Sequence, residues 1–268
     1  MDHTSNYLTP EIKLSSYDDN FFKSEVVFDH HMLVWFISGE TRIVQSDETH
    51  TFKTGDIFLI PRNKPATIIN WPRDGQPHKT VVMLLTAKFL KEFYNGNNAN
   101  TKGATAGIRR YSNHPLLSSC LASLVPYFEL KVPFPEKLAS LKMMEAVNII
   151  RTIDPTIDSI LANFEDPHKV ELISFMEKNY MFNMPLEKFS YLTGRSLTSF
   201  KRDFRKAFNT TPQKWLTQKR LELAHYQLAE MRRKPVEVCY EIGFENLSHF
   251  SYAFKKHFGY SPTNLKRD

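Results

Sequence analysis

The sequence predicts a multidomain α+β protein, with a β-barrel or sandwich in front and an all-α rear made of two helix-turn-helix units joined by a long helix. Three observations carry this. Over roughly the first ninety residues, short segments rich in Val, Ile, Phe and Thr are broken at close intervals by Gly, Pro and Asn. Toward the other end, a short apolar helix, a turn and a second helix with a polar outer face occur twice, 50 residues apart when counted from Ser196 to Asn246. Charge is also segregated: residues 167–268 hold 18 Lys and Arg against 10 Asp and Glu, whereas 1–166 hold 17 against 19.

The front is read as residues 1–93. VVFDHHMLVWFISG, TRIVQSD, THTFKTGDIFLIP, ATIINW and KTVVMLLTA are its candidate strands, interrupted by Gly39, Gly55, Pro61, Asn63, Pro65, Pro72 and Gly75. Strands this short and this closely spaced favour a barrel or sandwich. The opening MDHTSNYLTP is polar, unlike a secretory leader, and no apolar run reaches the roughly eighteen residues of a membrane span.

A helical segment and linker are expected over 94–166. The polar stretch from Asn95 to Gly107 reads as a loop. HPLLSSCLASLVPYFEL then sets Leu117, Cys120, Leu121, Leu124 and Phe128 on one stripe, and EKLASLKMMEAVNIIRTI sets Leu141, Met144, Val147 and Ile150 on another. DPTIDSILANFEDPHK, with Pro155 and Pro167, is read as the connection between domains.

The rear occupies 167–268. Its first unit runs from Leu186 to Leu192, turns at Thr193 to Ser196 and continues to Phe208. Its second packs Val238, Ile242, Phe244, Phe250, Phe254 and Phe258 on one side around a turn at Gly243. Between them WLTQKRLELAHYQLAEM reads as one helix, with Trp215, Leu216, Leu223, Ala224, Leu228 and Met231 mostly on one side. A helix of about twenty residues spans about 30 Å, close to the roughly 34 Å between successive major-groove faces of B-DNA.

That geometry and the local basic charge suit double-stranded DNA. In the first unit Thr198, Lys201 and Arg202 hold early outward positions, where Arg202 suits bidentate contact with guanine and Lys201 a guanine or a phosphate. Asn246, Ser248, His249 and Tyr252 hold comparable positions in the second. Arg205, Lys206, Lys255 and Lys256 lie further along and suit phosphates. For Tyr252 the alternative is packing, and for His249 it is capping.

These residues resemble the AraC/XylS family of bacterial transcription regulators. The resemblance covers about one hundred residues. It rests on Leu186 and Gly194-Arg195-Ser196, on Phe204, Phe208 and Thr211-Pro212, and on Arg220-Leu221 with Ala224. The second unit adds Ile242-Gly243-Phe244, Ser248-His249-Phe250, Phe254-Lys255, Phe258-Gly259 and Ser261-Pro262. Ser190 and Cys239 depart from the usual Ala, and Leu265 from an aromatic. The resemblance implies a DNA-binding regulator, an activator more often than a repressor, that recruits RNA polymerase, forms a homodimer through the helices of 94–166, and takes a small organic effector in its front domain.

GDIFLIPRNKPATIIN and the preceding ISGE resemble the motifs of cupin barrels, so the front is expected to be cupin-like. The metal ligands of that family are absent. Met32 stands at the Glu position, Val26 and Phe28 (or Glu25 and Val27) at the His pair, and Ala66 at the remaining His. His30 and His31 are strand neighbours on opposite faces and are read as lip or surface residues. No metal, cofactor or catalytic residue is therefore expected. Alternation lines the interior with Met32, Val34, Phe36, Ala66, Ile68 and Asn70, either as an effector pocket oriented by Asn70 or as a filled core.

The hydrolase, phosphate-loop, zincin and dinucleotide signatures are absent. Two cysteines, Cys120 and Cys239, suit a reducing cytoplasm. The expected function is a cytoplasmic, effector-responsive transcription regulator; a cupin enzyme with a DNA-binding tail and a regulator lacking a small effector stay open as alternatives.

Overall fold

The β-rich front forms two antiparallel sheets in the computed structural model, which describes residues 3–17, 22–95, 99, 107–112, 114–130, 133–244 and 246–264. The strands are β1 (His3–Thr9), β2 (Ile12–Tyr17), β3 (Phe22–Val27), β4 (His31–Ser38), β5 (Glu40–Val44), β6 (Thr49–Lys53), β7 (Ile57–Ile60), β8 (Pro65–Trp71) and β9 (His78–Leu85). Helix α1 (Ala87–Tyr94) and the short β10 (Arg109–Arg110) follow. One sheet has the order β1-β2-β9-β4-β7-β10 and the other β3-β8-β5-β6. The chain forms two compact units, Met1–Glu165 and Asp166–Asp268.

The central strands β4, β7 and β9 are buried along most of their length, because both faces of the six-stranded sheet are covered. Alternation divides their side chains. Met32, Val34, Phe36, Phe58, Ile60 and Val82 pack in one cluster with Ile43, Phe52 and Ala66 of the four-stranded sheet. Leu33, Ile57, Leu59, Val81, Met83 and Leu85 face the other way, onto helices α2 (Pro115–Ala122), α3 (Val125–Leu130), α4 (Glu136–Ile153) and α5 (Asp158–Leu161).

The structure differs from several expectations here. Strands β1 and β2 fall in the polar opening of the chain, where the pattern was too weak to announce them. The helices share one core with the six-stranded sheet, so they sit in the same unit as the strands. Ile157, Ile160 and Leu161, expected in a connection, are buried in that core. Asp158 there accepts from Arg151 Nε at 2.8 Å and from Tyr94 Oη at 2.6 Å. On α4 the covered face is Ala139, Met143, Ala146, Val147 and Ile150; Leu141 and Met144, expected on the same stripe, are exposed. Of the loop expected from Asn95 to Gly107, residues 96–98 and 100–106 lie outside the described residues.

The rear unit contains α6 (Leu172–Asn179), α7 (Leu186–Leu192), α8 (Leu197–Phe208), α9 (Pro212–Ala229), α10 (Pro235–Glu241) and α11 (Leu247–Phe258), ending in a 3₁₀ turn at Pro262–Asn264. Helix α9 is not amphipathic in the expected sense. Trp215 and Leu216 lie about 160° around the helix from Leu221, Ala224 and Leu228 at 3.6 residues per turn. Trp215 packs on Tyr180, Phe204 and Phe208 of the first subunit of helices, whereas Leu221, Ala224 and Leu228 join Val238, Ile242, Phe250 and Phe254 of the second. The two helix pairs thus hold opposite sides of one helix. Leu223 is only partly buried and Met231, beyond the helix end, is exposed.

Candidate nucleic-acid interface and inter-sheet cavity

The two outward helices of the rear unit are built alike. Ser196 caps α8 by accepting from Ser199 N–H at 3.3 Å, and Asn246 caps α11 by accepting from His249 N–H at 2.8 Å. Each helix closes on a left-handed residue, Asn209 (φ 52°) and Gly259 (φ 86°). Phe200 and Phe204 anchor α8, and Phe250 and Phe254 anchor α11, at matching positions one turn apart.

Anchoring by those phenylalanines leaves the opposite stripes outward. Thr198, Lys201, Arg202, Arg205 and Lys206 are all exposed on α8, at the i, i+3, i+4, i+7 and i+8 spacing of one helix face. Ser248, His249, Tyr252, Lys255 and Lys256 form the equivalent exposed stripe on α11. Lys201, Arg202, Arg205 and Lys206 also line a groove of about 610 Å³ with Leu186 and with Thr211, Pro212 and Gln213 at the start of α9.

Two of these side chains already have partners. Asn246 is exposed but its oxygen is the helix cap, so its role as a base reader is narrowed to its amide NH₂. Arg202 donates from Nε and Nη2 to Asp203 Oδ1, each at 3.2 Å. That fork must swing away before it can meet a base. Asp203 also receives Arg195 Nε at 3.3 Å; burial works against its charge, but the hydrogen bonds from Arg195 and Arg202 hold its carboxyl below the usual range. Arg195 itself is a strut: Nη1 donates to Thr193 O at 2.7 Å and Val170 O at 3.0 Å.

In the front unit a cavity of about 210 Å³ lies between the sheets. Met32, Val34, Phe36, Ile68 and Asn70 line it, as the alternation predicted. Ala66 is fully buried in the adjoining core and does not line it, although its partner on β3, Val26, does. Asn70 is not an unattached polar group: Thr41 Oγ1 donates to its Oδ1 at 2.6 Å, and the same hydroxyl lies 2.8 Å from His78 Nε2. Since the one hydroxyl proton goes to Asn70, His78 donates from Nε2. Burial pushes His78 down to about 4, so it is neutral at pH 7. Gly39 (φ 86°) permits this arrangement, for a Cβ there would stand 2.7 Å from His78 Cα.

A family model described as "Helix-turn-helix domain" matches residues 191–268, and one described as "ExsA N-terminal regulatory domain" matches 31–152. The HTH-type transcriptional regulator ExsA of Pseudomonas aeruginosa is 26% identical over 240 residues, covering 86% of this chain and 84% of that protein. The virulence regulon transcriptional activator VirF of Yersinia enterocolitica is 27% identical over 244 residues, covering 86% of each. The chain belongs to the AraC/XylS family of transcription regulators. A crystal structure of ToxT from Vibrio cholerae aligns over 95% of this chain and 96% of that one, with a TM-score of 0.43 and 11% identity.

For this AraC-type chain, then, the rear unit is the DNA-binding part of a transcription regulator. No helix among the described residues is long and apolar enough to cross a membrane. In the front unit, no group of three His, Cys, Asp or Glu among the described residues could hold a metal ion. Val26, Phe28 and Met32, at the ligand positions of a metal cupin, line the cavity with hydrocarbon. His31, read as a lip residue, is buried, and its Nδ1 accepts from the Arg62 N–H at 3.2 Å. The reading from sequence missed Thr41, His78, Ser15 and Thr80 as cavity residues. The signal was present in β9, where His78, Thr80 and Val82 alternate inward, but no turn marked which parity faced in.

Proposed function

We propose that α8 and α11 enter two successive major-groove faces of double-stranded DNA and read a specific sequence. The observation that supports this most is the pair of matched exposed stripes on α8 and α11, carried on opposite sides of the 18-residue α9. That helix is about 27 Å long, near the roughly 34 Å groove repeat. Thr198, Lys201 and Arg202 suit base edges on α8, and Ser248, His249 and Tyr252 on α11. Asn246 fits the same end of α11 mainly as its cap. Arg205, Lys206, Lys255 and Lys256 suit phosphates, and the groove that Arg205 and Lys206 share with the start of α9 has the charge to hold one.

The division proposed for the working protein is an effector domain over 1–93 with the helical segment over 94–166 packed on it in the same unit, and a DNA-binding domain over 167–268. A small organic effector in the inter-sheet cavity would favour one arrangement of these parts over another, which requires different affinity for the two. The outward Leu141 and Met144 of α4 supply apolar surface for a homodimer. Activation is the outcome favoured by the likeness to the transcriptional activator VirF, with recruitment of RNA polymerase as the proposed route. The site of action is the cytoplasm, in keeping with two unpaired, buried thiols.

Selection of genomic fragments by the purified intact protein at near-physiological salt tests the reading. The expected result is enriched sites with two short submotifs about ten base pairs apart. Salt-sensitive binding with no sequence preference, with and without cell extract metabolites, overturns it.

A further inference from the structure

The register of the strands shows that the inter-sheet cavity has two chemically different ends. In the six-stranded sheet Tyr17 pairs with His78 and Ser15 with Thr80; one rung further, Lys13 and Val34 both pair with Val82, and Val34 with Phe58. In the facing sheet Thr41 pairs with Asn70 and Ile43 with Ile68. The hydrogen bond from His78 to Thr41 joins the two sheets at the Tyr17 and Asn70 rungs. Hydroxyl, amide and imidazole groups therefore collect at one end, beside the Phe22 and Phe36 rings, and Val34, Val82, Phe58, Met32 and Ile60 line the other, with Lys13 next to Val82. A cavity merely left over from imperfect packing has no reason to sort its lining this way.

Among the described residues, the polar end carries no charged side chain. Thr41 joins Asn70 and His78, and the groups of this end are buried: His78 is 2% exposed, Thr41 3%, Ser15 4%, Thr80 4% and Asn70 6%. An anion brought there would lose its hydration without gaining a counter-charge. The cation that lines the cavity, Lys13, stands one rung beyond Ser15 and Thr80, beside Val82, and is directed over the Tyr7 ring at 5.8 Å. A wholly apolar molecule would leave the hydroxyls of Ser15 and Thr80 facing hydrocarbon. For size, a cavity of about 150 Å³ accepts benzene, so about 210 Å³ suits a compact bicyclic molecule.

Resting on the effector reading above, we infer that the ligand is a neutral amphipathic molecule. Its uncharged hydrogen-bonding head sits at the Thr41, Asn70 and His78 end, and its hydrocarbon body runs toward Met32. This places specificity in Thr41, a residue of the four-stranded sheet, and makes the head group's lack of charge the feature selected.

Three probes of one shape separate the possibilities: 2-naphthol, naphthalene and 2-naphthoate, titrated into the full chain with ¹³C-methyl methionine spectra as the readout and Met32→Leu to assign the Met32 signal. The expected result is a Met32 shift with 2-naphthol at an affinity at least tenfold above either other probe. Thr41→Val, which keeps the volume, should erase the preference for 2-naphthol while naphthalene still shifts Met32. Preference for 2-naphthoate, or equal binding of all three, overturns the neutral-head inference and leaves the effector cavity standing. If none of the three moves Met32, the cavity reading falls with it. Should Thr41→Val fail to fold, the order of the three affinities in the unaltered chain decides the matter alone.

Discussion

A Cβ on Gly243 would lie 2.5 Å from Asn183 Cγ, so the turn of the second reading unit is closed against the loop that precedes α7. Gly243 also has φ 84°, a backbone conformation that other residues rarely take. Gly194, in the first unit, has the same two constraints: φ 64° and a would-be Cβ 2.4 Å from the His168 carbonyl carbon. Gly243→Ala should therefore destabilise the rear unit by about 1–3 kcal/mol and weaken DNA binding in proportion to the unfolded fraction. Urea unfolding checks this; an unchanged midpoint would show that Asn183 yields freely.

Asn246 combines a cap with an exposed position, and two substitutions separate these. Asn246→Ala should cost about 1 kcal/mol of stability. Asn246→Asp should keep the cap and the stability, yet weaken binding to every DNA sequence by placing a carboxylate near phosphate. If Asn246→Asp binds as well as the unaltered protein, the start of α11 lies away from the DNA backbone.

Arg202 and Lys255 should fail in different ways. Arg202→Ala is expected to cost roughly 1–3 kcal/mol at a specific site and to relax the base preference there. Lys255→Ala should weaken all sequences alike and lower the salt slope by about one. Competition assays at several salt concentrations read both; a loss for Arg202→Ala that is uniform over sequences would reassign it to phosphate.

Acid should weaken the front unit through its buried imidazoles. Burial, with the Arg62 charge and His30 adding to it, lowers His31 to about 3, and burial lowers His78 to about 4. Both values are depressed, so the unfolded chain takes up protons below about 6.5 that the folded chain refuses. Stability is complete above pH 6.5 and is lost as pH falls toward 4, by on the order of 3 kcal/mol for His78. His78→Phe should flatten that slope in urea unfolding between pH 7 and 4.5, and an unaltered slope would count against the assignment.

The rear unit was legible because its physics is local. A capping Ser or Asn, phenylalanines every fourth residue and a glycine turn each act within a dozen residues, and together they set which face of α8 and α11 points outward. Charge needed only counting. The same locality explains what went astray in α9: its stripe from Trp215 to Leu228 serves two partners on opposite sides, and a periodicity averaged over the helix cannot represent that. Alternation likewise found Met32, Val34, Phe36, Ile68 and Asn70, since strand parity is a property of the segment.

What the tertiary structure decided is everything that depends on which strand lies beside which. His78 meets Thr41 across 37 residues, and Gly39 approaches His78 only because β4 and β9 are neighbours. The polar end of the cavity, the removal of Ala66 from its lining, the burial of His31 and the capture of Ile157 and Leu161 by the sheet all follow from that pairing. Contacts between segments far apart in sequence depend on the joint packing of many residues, so no single segment carries their signature. The sequence alone determined the outward faces of two helices and an inward strand parity; the chemistry of the space between the sheets was decided by their closure on each other.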